Sequence, residues 1–87
     1  PHDINGKAPF ITFIWPNPTD YNFNLQVESD SDNPIQVSVS DATGRVLSKY
    51  QVRNNETISF GSDLMPGSYF VIVKQGSNSE TILVLRQ

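Results

Sequence analysis

From Phe10 onward, apolar and polar positions fall into short segments, each closed by proline, glycine or a cluster of Asn, Asp and Ser. The clearest are Asn22 to Glu28, where Phe23, Leu25 and Val27 alternate with Asn24 and Gln26, and Ile35 to Asp41, where Ile35, Val37 and Val39 alternate with Gln36, Ser38 and Ser40. A period of two places alternate side chains on opposite faces and predicts strands with one buried face. Five further segments read as strands: Phe10 to Trp15, Arg45 to about Val52, Thr57 to Phe60, Ser68 to Lys74 and Glu80 to Leu85. The run Tyr69-Phe70-Val71-Ile72-Val73 is continuously apolar, which predicts cover on both faces, with Tyr69, Val71 and Val73 in the core. Pro16 and Pro18 close the first strand, because proline cannot donate to a ladder. Gly44 offers positive φ in the turn after Asp41. No window shows a helical stripe.

Short strands with frequent turn signals predict an all-β fold, a seven-stranded immunoglobulin-like β-sandwich, with a small closed barrel as the alternative. Eighty-seven residues suffice for one domain. Residues 1–9, with two prolines and a glycine, read as a linker, and residues 10–87 as the folded unit. A chain that begins at Pro1 without Met or a leader pattern reads as a piece cut from a longer protein.

Charge and composition narrow the function. The net charge is −3 and the six Lys and Arg are scattered, so the concentrated basic footprint of a nucleic-acid surface is missing. No cysteine occurs, and no apolar stretch has the length of a membrane helix. The single histidine, His2, sits in the linker, where it cannot be held against a nucleophile. Glu28, Asp30 and Asp32 form the best acidic cluster, and Asp30-x-Asp32 imitates the start of a calcium loop, but Ile35 stands at the sixth position, where that loop needs glycine. They read as the solvated charges of a hairpin loop, with a calcium site between sandwich loops as the lesser reading. Gly61 to Gly67 lacks the spacing and the lysine of a phosphate loop, and Asn55-Glu56-Thr57 is a glycosylation sequon that matters only in a eukaryotic secretory route. Trp15, Tyr21, Tyr50 and Tyr69 are candidates for a sugar-stacking platform, although Trp15 and Tyr69 lie in apolar segments and read as core. The pattern predicts a non-enzymatic domain without cofactors.

Four blocks point further. Trp15-Pro16-Asn17-Pro18-Thr19, Asp41-Ala42-Thr43-Gly44-Arg45-Val46, Leu64-Met65-Pro66-Gly67-Ser68-Tyr69-Phe70-Val71 and the closing Thr81-Ile82-Leu83-Val84-Leu85-Arg86-Gln87 stand in an order and spacing that resembles the C-terminal sorting domains of the bacterial type IX secretion system. Trp15 replaces the usual Tyr of the first block. The resemblance covers residues 15–87, and Pro16, Asn17, Pro18, Gly44, Arg45 and Val46 carry its first two blocks.

This resemblance implies a sandwich that acts as a secretion signal for a larger protein. Its partners would be the outer-membrane translocon, shuttle proteins and a cell-surface sortase that removes the domain, and the cargo would reach the medium or cell surface through the periplasm. The resemblance also suggests Gly67, Tyr69, Leu83, Val84, Leu85, Arg86 and Gln87 as the residues read by the machinery. Strand pairing at the last strand, helped by the Arg86 charge and the Gln87 carboxylate, is the expected mode. A carbohydrate- or surface-binding accessory module and a structural spacer are the competing readings.

Overall fold

The computed structural model describes residues 10–87. The expected linker at residues 1–9, with His2, lies outside the described residues. The described residues form seven strands: β1 (Phe10–Trp15), β2 (Phe23–Ser29), β3 (Ile35–Asp41), β4 (Val46–Val52), β5 (Thr57–Phe60), β6 (Gly67–Gln75) and β7 (Asn78–Arg86). They make a three-stranded sheet in the order β1-β2-β5 and a four-stranded sheet in the order β4-β3-β6-β7, every pair antiparallel. Two sheets face each other as a sandwich, and no helix occurs among the described residues. The strand order is compatible with an immunoglobulin-like arrangement. So is Tyr69, whose hydroxyl donates to the Met65 carbonyl just upstream of β6, as a tyrosine corner does.

The period-two segments fold as expected. Phe23, Leu25 and Val27 from one sheet meet Ile35, Val37, Val39, Val71 and Val73 from the other, all buried, with Val52, Phe60, Tyr69 and Val84 completing the core. Phe60 stacks on Phe23 with ring centroids 5.4 Å apart, and Tyr50 tilts against Phe60 at 5.8 Å. Such offset aromatic contacts add to the burial of apolar area that stabilises a small sandwich.

Three expectations need correction. Trp15 is not core: β1 alternates, so Ile11, Phe13 and Trp15 point outward and Trp15 is 42% exposed. Five of its six residues are apolar, which hides the alternation from the sequence. The outer face of β6 is also open. Phe70 and Ile72 are half-buried by their neighbours on β3 and β7, with no third layer over them among the described residues. Finally, the acidic loop after β2 is an arch from one sheet to the other rather than a hairpin. Gln75, 2% exposed, holds that arch: its amide donates to the Ser31 and Asn33 carbonyls at 3.1 and 2.8 Å and accepts from the Ser29 hydroxyl at 2.6 Å. A buried amide with every contact satisfied fixes the loop without a desolvation penalty.

Candidate functional site

The four motif blocks meet at one end of the four-stranded sheet. β1 ends at Trp15, both X–Pro bonds of Trp15-Pro16-Asn17-Pro18 are cis, and the chain then leaves the first sheet for the free edge of β7. There the Asn17 side chain behaves as a strand residue would. Its Nδ2 donates to the Leu83 carbonyl at 3.2 Å and its Oδ1 accepts the Leu85 N–H at 3.0 Å. Two residues later the backbone takes over: Thr19 N–H donates to the Leu85 carbonyl at 3.0 Å, and Gln87 N–H donates to the Thr19 carbonyl at 2.7 Å, a short parallel bridge. Thr19 is 4% exposed, and its hydroxyl donates to the Asn22 carbonyl at 2.7 Å, which fixes the bend back into β2.

Arg86 ties the same corner to the first sheet. Its Nε donates to the Gly61 carbonyl at 3.1 Å, Nη2 to the Ser62 carbonyl at 3.4 Å and Nη1 to the Gln87 carbonyl at 2.7 Å. The guanidinium fork thus spans the end of β7 and the turn after β5, a use of fixed donor geometry open to arginine and not to lysine. Arg86 is half-buried, so its charge is partly spent inside the fold.

The second block builds the β3–β4 hairpin. The Asp41 Oδ1 accepts from the Thr43 N–H at 2.9 Å, the Thr43 hydroxyl at 2.6 Å and the Arg45 N–H at 3.0 Å. Gly44 holds φ 92° in this turn, a region that suits glycine. The Thr43 hydroxyl, the two backbone N–H groups and the Arg45 guanidinium 3.4 Å away hold the Asp41 carboxyl below its ordinary value. From this turn Val46 emerges exposed, opposite Ser40.

The suggested residues therefore divide. Tyr69 and Val84 face each other in the register and are buried, 8% and 1% exposed. Gly67 pairs with Arg86 at the start of β6. Leu83 and Leu85 point outward, 58% and 41% exposed, and Gln87 is exposed beside them. Strand pairing along the end of β7 meets an edge already occupied by Asn17 and Thr19. Sequence reasoning missed Thr19, Gln75 and Phe70. A threonine directly after Pro18 was a faint turn signal, whereas Phe70 needed the register to be seen.

Chemistry of other kinds finds little to use. Among the described residues no three His, Cys, Asp or Glu side chains come together as a metal site, Glu28, Asp30 and Asp32 included. The four aromatic candidates scatter: Trp15 lies on the outer face of β1, Tyr21 in the following loop, Tyr50 against Phe60 and Tyr69 in the core. Among the described residues, no helix is long and apolar enough to cross a membrane.

Fold and site define a small β-sandwich in which the first and last motif blocks join at one strand edge and the other two shape the adjoining turn and core. The family model for the secretion system C-terminal sorting domain matches residues 13–85, and the chain belongs to that family. Its members are the C-terminal sorting signals of type IX secretion cargo, a role that involves the secretion machinery and an attached cargo. Among curated proteins no match was found.

Proposed function

We propose that the export machinery reads this domain at β7, through the outward side chains of Leu83, Leu85 and Gln87. Gly67, Tyr69, Val84 and Arg86 shape and anchor the strand that carries them. The observation that carries the reading is the position of β7 at the sheet margin with two leucines exposed on a strand whose edge is pinned by Asn17 and Thr19. Leucines held at fixed positions lose little freedom on binding, which favours recognition by pocketing of alternate side chains. Because the edge groups from Leu83 to Gln87 are engaged internally, side chains rather than main chain carry the contact.

In this reading the parent chain reaches the periplasm and folds there. It is then conducted by shuttle proteins to the outer-membrane translocon, after which a cell-surface sortase removes residues 10–87 by cleavage in or before residues 1–9. The domain itself performs no catalysis. The test fuses residues 1–87 to a periplasmic reporter in a bacterium that possesses the type IX system. Surface or medium localisation of the reporter is expected. Retention in the periplasm, with the fusion intact and folded, would overturn the reading.

A further inference from the structure

We infer that the whole outer face of the four-stranded sheet, not the last strand alone, is the docking surface, and that its receptor presents an apolar patch rimmed by carboxylates. This rests on the sorting reading and names the surface and chemistry by which it operates.

The register places a row across all four strands that is apolar on β4, β6 and β7 and carries serine on β3. Val46 lies opposite Ser40, Ser40 opposite Phe70, and Phe70 opposite Leu83. Ile72 and Leu85 extend the row on either side, Ile72 opposite Ser38 and Leu85 opposite Ser68. Val46 and Leu83 are 48% and 58% exposed, while Phe70 and Ile72 are half-buried. The row thus combines apolar side chains from three motif blocks, and the fourth block pins its margin through Asn17. Exposed and half-exposed apolar side chains gathered on one face of a small domain mark an interaction surface.

Charge selects the partner. The same face carries Lys49, opposite the outward Ser38, and Lys74, opposite the outward Gln36. Among the described residues no Asp or Glu occupies a register position on it, although the chain as a whole is acidic. Glu80, itself exposed, sits opposite Val73 and Asp41 opposite Tyr69, so both alternate with the outward positions. A cationic rim about an apolar centre is complementary to an acidic rim about an apolar centre, and like charge there would repel other partners. The opposite face of the sandwich differs. Its apolar residues Ile11, Phe13 and Trp15 lie on a single strand opposite Glu28, Gln26 and Asn24. Asn24 and Gln26 are already bonded to the Trp15 and Asn55 carbonyls.

The experiment follows export of the full-length cargo-bearing chain in a bacterium with the type IX system, with resistance to proteolysis reporting folding. Four variants are compared: deletion of residues 10–87, Leu83→Glu, the charge reversal Lys49→Glu with Lys74→Glu, and Ile11→Thr with Phe13→Thr on the other face. Loss of export by roughly tenfold or more is expected for Leu83→Glu and for the lysine pair, as for truncation of an interface centre and rim. The Ile11 and Phe13 variant should export like the wild type. If the lysine pair and Leu83→Glu export normally while the deletion abolishes export, the surface is wrong and the sorting reading stands. If the deletion exports normally, the sorting reading itself falls. Should Leu83→Glu prove sensitive to proteolysis, Leu83→Thr replaces it and the lysine pair still decides. Loss of export confined to the Ile11 and Phe13 variant would move the surface to β1 and overturn the inference.

Discussion

Asn17 and Leu85, 68 positions apart in the chain, are joined by a hydrogen bond of 3.0 Å from the Leu85 N–H to the Asn17 Oδ1, and the other half of the same amide reaches the Leu83 carbonyl. An asparagine side chain carries one acceptor and one donor group in a planar fork, the same pair that a neighbouring strand offers. It therefore closes an edge without adding a strand. Open edges invite pairing with other chains, so this closure protects the domain as well as fixing Leu83 and Leu85.

Replacing Asn17 by alanine should therefore destabilise the domain modestly and loosen β7 selectively. Both bonds are exposed, so a loss of about 1 kcal/mol is expected, near the ordinary net value for hydrogen bonds. Urea denaturation measures the first effect. Hydrogen exchange measures the second: the Leu85 amide should lose protection while amides of β2 and β3 keep theirs.

How far this corner was legible depends on the range of each contact. Phe23, Leu25 and Val27, or Ile35, Val37 and Val39, announce themselves because burial of one strand face is written at period two within seven residues. Phe10 to Trp15 is apolar at nearly every position, so nothing local tells Trp15 from Ile14. Tyr69, Val71 and Val73 were identifiable as core. The half-open outer side of Phe70 and Ile72 was not, because it depends on which elements pack over the sheet and not on the strand itself. The roles of Asn17, Thr19 and Gln75 rest on contacts between residues tens of positions apart. A polar residue in a loop looks the same whether it faces water or a distant carbonyl.

The hairpin turn at Asp41 predicts a pH dependence. Its carboxyl is held below the ordinary 3.8, first by the Thr43 hydroxyl and then by the Arg45 and Thr43 backbone N–H groups and the Arg45 charge, which together outweigh the opposing effect of desolvation. A carboxyl depressed in the folded state binds its proton more readily when unfolded. Its contribution to stability is therefore complete above 3.8 and is lost as pH falls through the lowered value. Asp41→Asn should melt below the wild type at neutral pH, and the two curves should converge in acid. Arg45→Ala should change little at any pH, since its ion pair is exposed. Thermal melts across a pH series separate these outcomes.

Gly61 offers the sharpest test of the corner where Arg86 joins the two sheets. It is buried, takes φ 101°, and a Cβ placed on it would lie 2.9 Å from Phe23 Cδ2. Phe23 is fully buried and stacked on Phe60, so its ring has little room to retreat. Gly61→Ala therefore combines a left-handed backbone that L side chains resist with overpacking of the core, and a loss of roughly 2 kcal/mol or more is expected. Its carbonyl also receives the Arg86 Nε, so any shift of the turn should reach β7. The measurement is denaturant unfolding together with hydrogen exchange at Leu85 and Gln87. Added exchange at those amides, beyond what the global loss of stability accounts for, would show that the turn and the last strand are mechanically joined through Arg86. If Gly61→Ala destabilises without that local excess, the arginine fork holds the end of β7 only weakly, and Asn17 with Thr19 must supply the anchoring alone.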